Sequence, residues 1–118
     1  MVMLLVAGLT AVTVPSLEVG WTCHLTNQVR EAHRTDLLTS YVRHGPYFDQ
    51  SVGGWGHYKI AYEDAETLVM TWVQPWNDGG VHTDTISIAK GKSVGVESYS
   101  DTSRPEDAMI AEGECVPF

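Results

Sequence analysis

The chain carries two cysteines, Cys23 and Cys115, placed near its opposite ends. Joining them in one disulfide demands that the first and last elements of the domain lie side by side, with Cα atoms within about 7 Å. A fold whose ends point apart is thereby excluded. Closing so long a loop contributes up to roughly 4–5 kcal/mol in the chain-entropy view, and about 2–4 kcal/mol in typical measurements. Buried free thiols are the alternative reading. A reactive thiol has no support, because neither cysteine belongs to a C-x-x-C pair and neither has an identifiable partner histidine.

A disulfide fits an oxidising compartment, and the start of the chain points the same way. Residues 1–17 are uncharged; the first charged side chain is Glu18 and the first basic one is Arg30. An apolar stretch followed by proline and small residues resembles a secretory signal peptide, although no Lys or Arg stands ahead of it. The expectation is a signal peptide over residues 1–20, cut after Thr13, Ser16 or Gly20. A single disulfide-closed domain then spans 21–118 in the periplasm or outside the cell. A retained membrane anchor and a buried strand pair compete with this reading. A lipoprotein is disfavoured by the bulky Trp21 two residues before Cys23.

About 100 residues make one small domain. Seven Lys and Arg against fifteen Asp and Glu give a net charge of −8. Such a surface repels nucleic acid and anionic lipid, so neither is expected as a partner, nor is a membrane once the leader is gone. Residues 24–44 are milder, with Arg30, Arg34 and Arg43 against Glu31 and Asp36, and read as ordinary solvated surface.

Strand patterns fill the second half. In 57–63, Tyr58, Ile60 and Tyr62 alternate with Lys59, Ala61 and Glu63; in 67–73, Leu68, Met70 and Trp72 share one parity. Placing both sets on one face demands an odd loop or a bulge, since side chains alternate with a period of two. A second hairpin runs over 83–89 and 93–99. Pairing Ile88 with Val94 and Ile86 with Val96 again requires an odd loop around Lys90-Gly91-Lys92. A last strand over 108–116 carries Met109, Ala111 and Cys115 on one parity. The expected fold is mainly β: a small antiparallel meander or barrel-like domain. The segment 25–43 is left open between one or two short helices and a strand over 37–43.

No motif of known chemistry stands out. Five histidines, at 24, 33, 44, 57 and 82, include no helical i, i+4 pair; only His82-Thr83-Asp84 puts two ligand types at strand-face spacing. Two ligands are too few for a closed metal site. No cofactor motif and no Gly-x-Ser-x-Gly elbow are present. Carboxylates at 63–66, 106–107 and 112–114 fall on turns and an outer strand face, where they serve solubility. The aromatic residues are more suggestive. Trp55 and Trp76 stand beside glycines in loops at the two ends of the first hairpin. With His57 and His82 they form a candidate rim for a small ligand or a protein partner. The opposing reading tucks both tryptophans under loops to complete the core. Trp21 and Trp72 read as core residues.

The frame Trp21-Thr22-Cys23 with Gly113-Glu114-Cys115 resembles small exported bacterial proteins of unassigned function. The resemblance implies an antiparallel domain closed by a terminal disulfide and carries no activity with it. Size and compartment are also similar to those of periplasmic lysozyme inhibitors, but the Ser-Gly loop motif of that family is not found here. The reading is a non-enzymatic periplasmic or secreted binding or accessory protein. A small secreted enzyme inhibitor and a hydrolase with an unrecognised site are the alternatives.

Overall fold

The computed structural model describes residues 18–27, 36–50 and 56–118. Eight strands follow one another: β1 Gly20–Thr26, β2 Asp36–His44, β3 Tyr47–Gln50, β4 His57–Glu63, β5 Thr67–Pro75, β6 Val81–Ala89, β7 Val94–Asp101 and β8 Met109–Pro117. Each pairs antiparallel with its sequence neighbour, and β8 returns to β1, closing an up-and-down barrel. The β-rich expectation is met in its barrel form. The only described helical turns are two three-residue 3-10 segments, Lys90–Lys92 and Pro105–Asp107.

The disulfide closes the seam. Cys23 and Cys115 stand directly opposite in the β1–β8 register and are bonded, with Cα atoms 4.0 Å apart. Both side chains point into the barrel and are fully buried. The neighbouring inward position on β7 is Gly95, where a Cβ would collide with Cys115 Sγ. The glycine makes room for the crosslink.

Inward positions follow the period-two pattern. Leu25, Tyr41, Phe48, Tyr58, Leu68, Met70, Ile86 and Ile88 form the sealed core with Trp21 and Ala111. Each large apolar side chain buried this way contributes about 1.5–3 kcal/mol. Trp72 packs against this core partly buried.

The sequence-based hairpins fare differently. Between β4 and β5 a bulge lies between Ile60 and Tyr62. It sets Ile60 opposite Met70 and swings Tyr62 outward, to 55 % exposure. The bulge alternative therefore holds, and it brings two of the three β4 residues to the core. The β6–β7 expectation is corrected. The connection Lys90–Ser93 has four residues, so Ala89 faces Val94 and Ser87 faces Val96. Val94 and Val96 point to solvent, while Gly95 and Glu97 point inward opposite Ile88 and Ile86. Ser93 closes the turn with φ 55. In 25–43 the strand alternative holds where residues are described: Asp36–His44 is a strand, and Leu25 belongs to β1. Residues 28–35 lie outside the described residues, as do residues 1–17 of the expected signal peptide.

The two ends of the barrel are unequal. One end carries the short connections Gly45-Pro46, 64–66 and 90–93. An ion network closes it: Arg43 bonds Glu18 and Glu63, Lys90 bonds Glu63, and Trp21 Nε1–H donates to Glu18 Oε1 at 2.8 Å. The Arg43 guanidinium also lies 4.7 Å from the Phe48 ring centre. The other end carries the longer connections 27–35, 51–56, 76–80 and 102–108.

Candidate functional site

The loop end of the barrel holds the unusual chemistry. β6 contributes His82 and Asp84 on its inward face, two residues above Ile86. Tyr99 and Glu97 come from β7, where Asp84 pairs with Tyr99 and Ile86 with Glu97. Trp72 lies on β5 opposite Asp84. Trp76 follows β5 in the turn to β6, and its Nε1–H donates to Asp101 Oδ2 at 2.9 Å.

His82 sits among three rings. Its centroid is 4.9 Å from Trp72, 4.8 Å from Tyr99 and 5.9 Å from Trp76, each in an edge-on arrangement. The residue is only 7 % exposed, and its Nε2 has no hydrogen-bond partner among the described residues.

Below it lie two carboxyl groups. Asp84 and Glu97 are 6 % and 4 % exposed. Tyr58 O–H donates to Asp84 Oδ2 at 2.7 Å, and the two carboxyls hydrogen-bond each other. Two carboxylates in contact need a proton between them. Burial pushes Glu97 up to about 9, and the hydrogen bond to Asp84 and its charge push the same way. Glu97 therefore keeps its proton at neutral pH. Asp84 Oδ1 and Glu97 Oε1 meet no donor from any other described group. Burial, followed by the nearby carboxylate charges, raises Tyr41 and Tyr58 far above the ordinary phenol range, so both keep their protons. Burying a carboxyl pair is costly, and buried groups with displaced titration are concentrated at functional sites.

The sequence-derived rim is regrouped. Trp76 and His82 lie with ring centres 5.9 Å apart. His57 does not join them: it stands exposed on the outer face, against Asp49 Oδ1 at 2.5 Å and stacked 4.3 Å from Tyr47. Trp55 lies outside the described residues. Trp72 and Tyr99, which the sequence reading did not include in the rim, stand beside His82 instead. The carboxyl pair was missed. Asp84 was visible on the Ile86 and Ile88 parity but was weighed only beside His82 as a metal ligand. Among the described residues no group of three His, Cys, Asp or Glu is placed to hold a metal ion. Glu97 was hidden by the hairpin parity, which had put Val96 inside.

Two clefts adjoin these groups. One of about 420 Å³ opens at the loop end between Trp76, Asn77, Asp78, Asp101, Ser103 and Arg104. Another of about 750 Å³ runs over the outside of β3, β4 and β5, past Tyr47, His57, Lys59, Thr71 and Val73. No protein-family model, no curated protein and no solved structure matches the chain.

Proposed function

We propose that this protein is a non-enzymatic small-ligand-binding barrel of the periplasm or the extracellular space. The observation that carries the reading is His82 Nε2, a buried polar atom without a partner, set under Trp76 at the loop end. Native proteins leave few buried polar atoms unpaired, and those they do leave call for an explanation. A ligand group entering from the loop end supplies one. The Trp76 cleft opens at the same end of the barrel, and its volume lies in the range of small-ligand sites. Support for the compartment comes from the Cys23–Cys115 disulfide. No described helix is long and apolar enough to cross a membrane.

The test is thermal denaturation of the purified protein against a set of small amines, acids, alcohols and sugars. Ligands of the native barrel raise Tm in a saturable way, and Trp76→Ala abolishes the rise while leaving the fold intact. A set in which no compound moves Tm counts against the reading.

A second reading, a hydrolase, is favoured by one observation: the two carboxyl groups of Asp84 and Glu97 buried together inside the barrel. General acid–base chemistry uses such a pair. Turnover of an ester or glycoside panel that vanishes in Glu97→Gln would decide for it.

A further inference from the structure

We propose that the loop end of the barrel takes a small organic ammonium ion, a protonated primary amine carried on an apolar body. The inference rests on the binding reading above and names its ligand class.

Three buried atoms on one side of the interior meet no donor or acceptor outside the carboxyl pair among the described residues: His82 Nε2, Asp84 Oδ1 and Glu97 Oε1. His82 and Asp84 are two residues apart on the inward face of β6, and Glu97 is hydrogen-bonded to Asp84 from β7. In its Nδ1–H tautomer His82 presents Nε2 as an acceptor beside the carboxyl oxygens of the pair. A primary ammonium brings three N–H donors and one positive charge. A hydroxyl brings one donor and no charge. A carboxylate brings neither donor nor compatible charge.

The local field agrees. Among the described residues the one Lys or Arg on the inward face is Arg43, and it is held at the opposite end by Glu18 and Glu63. The loop half carries the two buried carboxyl groups and, at the rim, Asp101 and Asp78 with Arg104 as the one cation beside them in that cleft. Aromatic rings add a further preference. The ring centres of Trp72, Trp76 and Tyr99 all lie within 6 Å of the His82 ring centre, so a cation bound beside His82 would have aromatic rings close by to attract it. The same rings give an apolar body a wall to pack against.

The experiment is calorimetric titration of the whole protein at pH 7 with three probes of one shape: 2-phenylethylamine, 2-phenylethanol and 3-phenylpropanoate. The amine is expected to bind one per barrel, at least about tenfold tighter than the alcohol, with a change in tryptophan fluorescence and no binding of the carboxylate. The double variant Asp84→Asn/Glu97→Gln keeps the shape and a hydrogen bond between the two side chains but removes the charge. It is expected to erase the advantage of the amine over the alcohol. Equal binding of amine and alcohol, lost together in Trp76→Ala, overturns the ammonium inference and leaves the binding barrel standing. Binding of none of the three also overturns it, and the wider compound set then judges the barrel reading by itself. Should the double variant fail to fold, the three-probe series on the unaltered protein decides alone.

Discussion

Asp84 on β6 and Glu97 on β7 stand diagonally across adjacent strands inside the barrel with their carboxyl groups in hydrogen-bond contact, and Tyr58 O–H donates to Asp84 Oδ2. Glu97 ionises near its ordinary 4.5 in the unfolded chain but only at about 9 in the barrel. The folded state thus binds more protons than the unfolded state between those values, and stability falls as pH rises through that window. The loss is on the order of 1.4 kcal/mol per pH unit over the part of the window where the difference is complete. Glu97→Gln removes this titration while its amide still donates to Asp84. The variant is expected to match the parent near pH 5 and to exceed it in stability at pH 8–9. Urea melts at the two pH values check this; a parallel pH dependence in both proteins refutes it.

The far end of the barrel has the opposite sign. Arg43 holds the Glu63 carboxyl down at about 2, mainly through its hydrogen bond, with Lys90 assisting. A lowered carboxylate stabilises above its unfolded value of 4.5, and that contribution disappears as pH falls from there toward 2. Together with Glu97 this places the stability maximum near pH 5. Arg43→Met is expected to flatten the acid limb of the pH–stability curve and leave the alkaline limb unchanged. Thermal melts from pH 3 to pH 9 separate the two limbs.

Cys23 and Cys115 crosslink residues 92 apart in sequence. Cys115→Ser is expected to cost about 2–4 kcal/mol in denaturant melts, and the native parent should show no alkylatable thiol. Gly95→Ala is expected to be similarly damaging, because its new Cβ would stand where Cys115 Sγ lies. In the reduced Cys115→Ser background the same glycine substitution should cost less, and a double-mutant cycle measures the difference.

Trp76 is half-exposed at the loop end and tied to Asp101. Trp76→Ala is expected to leave the melting midpoint within about 1 kcal/mol of the parent. It should also make the tryptophan fluorescence that remains easier to quench with acrylamide, as His82 and Trp72 open to solvent. A loss of about 3–5 kcal/mol would assign Trp76 to the core instead.

Glu18 seals the short-loop end through Trp21 and Arg43, and Val19 N–H bonds the Phe118 carbonyl. A leader cut after Gly20 would remove both contacts. If the leader is cleaved, the mature chain is therefore expected to begin upstream of Glu18, which an intact-mass measurement reads directly.

The sequence by itself determined the β class, the disulfide partners and the inward parity of β5, β6 and β8. It could do so because alternating apolar residues report a half-buried strand without reference to any neighbour. The inward set Met109, Ala111 and Cys115 was legible for that reason. What each strand meets across the barrel was decided only by the tertiary structure. One residue more or less in a connection reverses every side chain that follows. The four-residue turn after Ala89 turned Val96 out and Glu97 in, and the bulge after Ile60 turned Tyr62 out. The aromatic group around His82 draws on β5, β6, β7 and a turn, so no local pattern announces it. The short strands β1 and β3 hold their places by pairing on both sides and by barrel closure. A carboxyl pair inside a barrel is a property of that closure: neither acid is unusual in the chain, and both become so when water is excluded from between them.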